Sequence, residues 1–150
     1  MEKGVSLDGV EGQQYLYHEP CHTPMKTHNS LKVAGQLLGT EVKLADRCCG
    51  EAGTLAVSRP DISTQLRFRK QEELQKELRE LTGSERVSDG SVKLLTSCPA
   101  CQQGLSRYAE DTGLETRYIV TELADRQLGA GWQKRFVERM RDGGIERVLL

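Results

Sequence analysis

The sequence predicts an α/β fold: an open, mainly parallel sheet of about four strands flanked by helices. Three observations carry this expectation. Short β-prone runs alternate with longer helical patterns along the chain. A chain of 150 residues is long enough to bury one real core. Each cysteine-bearing segment falls just after a predicted strand, where open α/β sheets bind their ligands.

The elements follow in order. Residues 1–13 have no pattern and read as a flexible tail, leaving residues 14–150 as a single domain. Tyr15-Leu16-Tyr17 is a first strand, stopped at Pro20. Leu31, Ala34, Leu37 and Leu38 define an amphipathic helix over 27–38, closed by Gly39. Val42 to Ala45 is a second strand. The longest helical signal covers 61–82, opened by Pro60-Asp61 and stopped by Gly83. Its apolar stripe runs through Ile62, Leu66, Leu74, Leu78 and Leu81 and is broken near Arg69 and Lys70. The remaining charges on it are of both signs and read as a solvated face.

Val92 to Leu95 is the third strand. Pro99 suits the first turn of the next helix, which continues through Leu105, Tyr108 and Ala109 to Gly113. Tyr118-Ile119-Val120 is the fourth strand, and Thr121 caps a helix carrying Leu123, Ala124 and Leu128. A last helix holds Trp132, Phe136, Val137 and Met140, with Trp132 and Phe136 read as core, and ends at Gly143-Gly144. Ile145 to Leu150 reads as a final strand or a docked tail.

Composition excludes several classes of function. A net charge of −1 gives no reason to expect nucleic acid. No run of 18 or more apolar residues predicts a transmembrane segment, and the N-terminus has no apolar stretch of a signal peptide. The expected location is cytoplasmic, or at the cytoplasmic face of a membrane. In that reducing compartment clustered cysteines bind metals or do redox chemistry more often than they form disulfides.

The five cysteines are Cys21, Cys48, Cys49, Cys98 and Cys101. Cys48-Cys49 cannot face one way on a regular element, so both sulfurs reach one object only from a loop. Gly50, followed by Gly53, lets that loop turn tightly. Three post-strand segments then deliver five thiols to one sheet edge, and a shared metal site is the reading that follows. Thiolates select zinc and iron–sulfur clusters. A structural zinc takes four ligands, one fewer than the thiols present, while a multi-iron cluster can use all five. The spacing of Cys98 and Cys101 also serves zinc sites and redox dithiols.

The histidines are read first as surface or capping residues. His22, beside Cys21, is the leading alternative ligand or outer donor, ahead of His18 and His28. Arg47, next to the pair, reads as a solvated charge, with charge compensation of the thiolates as the alternative. The turn after Cys49 lacks the three spaced glycines of a dinucleotide site, and no nucleophile motif is present.

Three motifs together carry a resemblance: Tyr17-His18-Glu19-Pro20-Cys21-His22, then Cys48-Cys49-Gly50-Glu51-Ala52-Gly53-Thr54, then Thr96-Ser97-Cys98-Pro99-Ala100-Cys101. They resemble the cysteine-rich CCG domain found in heterodisulfide reductase and in the iron–sulfur subunit of glycolate oxidase, over roughly residues 14–128. The gap from Cys21 to Cys48 is on the short side for that family, and the gap from Cys49 to Cys98 on the long side. The ending Gly143-Gly144-Ile145-Glu146-Arg147-Val148-Leu149-Leu150 is similar to the C-terminus of large FAD-linked oxidases.

The resemblance implies that all five cysteines ligate an iron–sulfur cluster of the 4Fe–4S type, with zinc as the alternative. It implies electron transfer in a flavin- and iron–sulfur-dependent oxidoreductase oxidising a 2-hydroxy acid such as glycolate or lactate. FAD would sit on a separate flavin-binding domain or subunit, and an electron acceptor protein or quinone would take the electrons. The chain alone is then expected to have no turnover. A structural zinc domain and a thiol–disulfide redox module of the heterodisulfide reductase type are the alternatives.

Overall fold

A computed structural model describes residues 7–51 and 54–144. Ala52, Gly53 and the expected C-terminal strand or tail at 145–150 lie outside the described residues.

Four strands form one wholly parallel sheet, in the order β2-β1-β3-β4. They are β1 (Gln14–His18), β2 (Val42–Leu44), β3 (Val92–Thr96) and β4 (Glu115–Tyr118). Between them run α1 (Ser30–Leu38), the short α2 (Leu55–Ser58), α3 (Pro60–Thr82), α4 (Pro99–Leu105) and α5 (Ala109–Thr112). After β4 come α6 (Ile119–Leu128), α7 (Trp132–Arg139) and a kinked turn over Met140–Gly144. The chain steps outward from β1 to β2, then returns past β1 to β3 and β4. The carboxyl ends of β1 and β3 therefore flank the point where strand order reverses, the crevice that doubly wound sheets use for ligands.

Pleating sorts β1 between the two faces. Leu16 belongs to the core beneath α3 and α4, with Leu74, Leu78, Leu94, Leu105 and Leu114. Tyr15 and Tyr17 face the other way, toward α1 and α6, with Ala34, Leu38, Leu95 and Ile119. His18, one pleat after Leu16, falls on the α3/α4 face. So does its ladder partner Thr96, two residues after Leu94.

Several boundaries differ from the sequence reading. The first helix begins at Ser30, because the Asn29 side chain accepts from the Lys32 N–H at 2.9 Å and fixes the start there. The fourth strand is Glu115–Tyr118, not Tyr118 to Val120. Its register on β3 ends at Thr96 opposite Tyr118, so Ile119 and Val120 open α6 whatever their β propensity. Thr121 is accordingly inside α6, its hydroxyl donating to the Tyr118 carbonyl at 2.6 Å, and does not cap it.

Trp132 and Phe136 are not core. No residue of α7 is buried and Phe136 is 53% exposed. Trp132 instead donates its indole N–H to Asp125 Oδ1 at 2.6 Å. The stripe of α3 is unbroken, but its middle is polar: Ser63, Lys70 and Glu77 are buried with Leu74 and Leu78, while Ile62 is exposed. No helix among the described residues is long and apolar enough to cross a membrane.

Candidate metal centre

The end of β2 is pinned before the cysteine pair begins. The Ala45 N–H donates to the Tyr17 carbonyl at 2.9 Å. Lys70, fully buried, donates from Nζ to the Ala45 carbonyl at 2.8 Å and also to the Asp46 carbonyl. Burial pulls the Lys70 pKa down to about 8, opposed by the negative charge of Glu73, Asp46 and the cysteine pair. Arg47 then takes a left-handed φ of 70°, costly for a residue with a Cβ, and Gly50 takes 77°, where glycine meets no such penalty. The Gly50 N–H turns back to the Cys48 sulfur at 3.3 Å. The loop thus points Cys49 into the core and leaves Cys48 half-buried.

Beyond β3, Cys98 precedes α4 and Cys101 lies buried in its first turn. Cys101 Sγ and Cys49 Sγ meet at 3.3 Å. Burial pushes the Cys101 thiol well up, and the adjacent Cys49 adds to the shift. Cys98 moves the other way, its thiolate favoured by the backbone N–H of Cys101. Cys21 is exposed just after β1, and its thiol is raised by burial of part of its surface and by the neighbouring Cys48.

All five cysteines border two adjacent cavities of about 300 Å³ each. One is lined by Cys21, Cys49, Cys98 and Cys101 with Pro20, His22, Glu51 and Ala100. The other is lined by Cys21 and Cys48 with Glu19, Leu44, Ala45, Asp46 and Arg47. Glu51 forms part of the wall. It lies against the bare Cα of Gly104, where a Cβ would stand 2.1 Å from Glu51 Cγ. Arg107 holds Glu51 Oε1 by a close ion contact of 2.7 Å without hydrogen-bond alignment, and Arg67 pairs with the same oxygen at 3.9 Å.

The sequence reading missed two residues. His18, expected at the surface, is 2% exposed. A nitrogen of its ring and the sulfurs of Cys49 and Cys101 lie within 4.8 Å of one another, an arrangement able to hold a metal ion. The Ala45 carbonyl is near the ring but not at hydrogen-bond geometry, and among the described residues neither ring nitrogen has a partner. Burial, then the charge of Lys70, lowers the His18 pKa to about 4, so the imidazole is neutral and carries a free lone pair. His22, the favoured histidine from sequence, is exposed at the cavity rim, and His28 is exposed in a turn. Lys70 is the second residue missed. Arg47 is exposed, and the buried cation behind the pair is Lys70. Strand parity could have assigned His18 a face. Nothing local marks Lys70 except the polar interruption of its stripe.

Comparison with known families agrees with this architecture. The cysteine-rich domain family CCG matches residues 15–106, more than half of the chain, and the chain belongs to that family. A domain of unknown function (DUF3400) matches residues 106–150. No curated protein and no solved structure matches the chain. The family assignment and the group of His18, Cys49 and Cys101 together describe a cysteine-rich domain with a candidate metal-binding site.

Proposed function

We propose that this chain is the iron–sulfur, electron-transferring domain of a FAD-linked oxidoreductase acting on a 2-hydroxy acid of the glycolate or lactate type. The observation that carries the reading is the convergence of five free thiols from three post-strand segments on one pair of adjoining cavities. The donor set suits a soft or borderline metal. The unpartnered ring of His18 beside two buried sulfurs is the kind of polar atom that a bound metal would satisfy.

In this reading Cys21, Cys48, Cys49, Cys98 and Cys101 hold a 4Fe–4S cluster, which supplies one-electron transfer when bound. The chain's own contribution is to fix the donors. Lys70 anchors the loop carbonyls, Gly50 turns Cys48 back, and the Cys101 N–H favours the Cys98 thiolate. Exposed Cys21 forms the solvent side of the site, where electrons would pass between a flavin-binding partner and an acceptor protein or quinone in the cytoplasm. A second reading, structural zinc, is favoured by the compactness of the group formed by His18, Cys49 and Cys101, which with one more thiol makes four ligands.

Anaerobic reconstitution with iron and sulfide, followed by metal analysis and electron paramagnetic resonance, tests the proposal. Iron with matching acid-labile sulfide supports it, and one zinc per chain with no iron taken up supports the second reading instead. Cys48→Ser and Cys49→Ser are each expected to abolish metal binding. Full metal stoichiometry in both variants would falsify the assignment of the pair as ligands.

A further inference from the structure

We infer that His18 is itself a ligand, donating a ring nitrogen to the metal held by Cys49 and Cys101, so that the centre is a mixed thiolate–imidazole one. The inference rests on the proposal that the cysteine cluster holds a metal, and it concerns a residue outside the five cysteines.

The last residue of β1 sits at the carboxyl end of the sheet, and strand alternation turns it to the face occupied by Cys49 and Cys101. An apolar side chain there would extend the core of Leu16 and Leu94. The chain instead has histidine, 2% exposed, with Nδ1 and Nε2 both unpartnered among the described residues. Beside it in the ladder, the Thr96 hydroxyl is also buried and unpartnered. A histidine that served only packing would carry the desolvation penalty of orphaned buried polar atoms with nothing in return.

The spacing of the donors fits a shared ion. Donors at metal–sulfur and metal–nitrogen lengths of about 2.0–2.3 Å stand roughly 3.5–4 Å apart in a tetrahedron. Cys49 and Cys101 Sγ are 3.3 Å apart, and the His18 nitrogen completes a triangle with no edge above 4.8 Å. Neutral imidazole is a good ligand for zinc and for iron, and imidazole is known to replace thiolate on an iron of a cluster. With imidazole in place of one of the five thiolates, the centre is less negative and its reduction potential higher.

The test uses the protein labelled with nitrogen-15 at histidine, reconstituted with iron and sulfide and, in a parallel sample, with zinc. Pulsed electron paramagnetic resonance of the reduced iron sample reads nitrogen coupling. X-ray absorption at the zinc edge counts nitrogen and sulfur neighbours. The expected result is a strong nitrogen-15 coupling, or one nitrogen at bonding distance from zinc. It should be retained in His22→Gln and His28→Gln and lost in His18→Gln, with a fall in potential for the last. If His18→Gln does not fold, the labelled protein with both other histidines replaced decides the matter alone.

Metal bound with sulfur neighbours only, or the weak coupling of an imidazole that merely hydrogen-bonds a sulfur, overturns the inference while leaving the cysteine site intact. Failure of the unaltered protein to take up either metal overturns both the site and the inference. The His18 variant is not needed to see that outcome.

Discussion

His18 and Glu122 are both ionisable, both 2% exposed, and lie on opposite faces of the same sheet. Their surroundings are opposite too. Glu122 accepts from the Tyr15 hydroxyl at 3.1 Å, from Lys93 Nζ at 3.0 Å and from Arg117 at 2.8 Å. One of those partners, Tyr15, is itself pushed up to about 12, by burial first and then by the Glu122 charge. Everything the carboxylate requires is supplied by the chain, and its role is complete within the fold. His18 has a ring with no hydrogen-bond partner among the described residues, on the face that also carries the thiols. A satisfied buried group ties elements together. An unsatisfied one beside soft donors marks a candidate metal-binding group.

Substitution can break that contrast. The largest effect is expected for Glu122→Ala, which removes the one buried carboxylate shared by Lys93 and Arg117 and leaves them only Glu115 and Asp125, both more exposed. A loss of about 3 kcal/mol in denaturant unfolding is expected, with metal stoichiometry per folded chain unchanged. A stability loss under about 1 kcal/mol would show that the network is ornamental. The converse is expected for His18→Leu in the metal-free protein: a gain of about 1 kcal/mol, because a polar orphan is exchanged for apolar volume. The same variant after reconstitution should lose more stability than it gained, reversing the order of the two proteins. A large loss in the metal-free state would mean that His18 is structural after all. The smallest effect, within about 0.5 kcal/mol, is expected for Phe136→Ser, since that ring faces solvent on the outer helix. A thermal melt that shifts strongly would put α7 back into the core, where the sequence pattern places it.

The parts legible in sequence were those set by local periodicity. The strand–helix alternation, the parallel sheet and the convergence of Cys21, Cys48-Cys49 and Cys98-Cys101 all follow from hydrophobic runs and from where the cysteines fall relative to them. What sequence missed was set by tertiary partners. Ile119 and Val120 have strand chemistry, but the β3 ladder that pairs β4 ends opposite Tyr118. Trp132 and Phe136 have core spacing, yet no element among the described residues buries them. Lys70 interrupts an apolar stripe and reads as a break until the carbonyls of Ala45 and Asp46 are seen above it. His18 sits one residue past an obvious strand, where only its face, not its type, separates a surface histidine from a buried one.

The anchoring by Lys70 also constrains how the chain can change length. Its ammonium must meet two carbonyls that precede the cysteine pair, and it stands ten residues into a helix begun at Pro60. One residue inserted or deleted between Pro60 and Lys70 would swing that side chain by about 100° around α3 and take it off the loop. The turn between Gly83 and Ser91 carries no such phase requirement, so extra residues there leave the anchor in register. Where this segment can grow or shrink is thus decided by helical phase, counted from a lysine that never touches solvent.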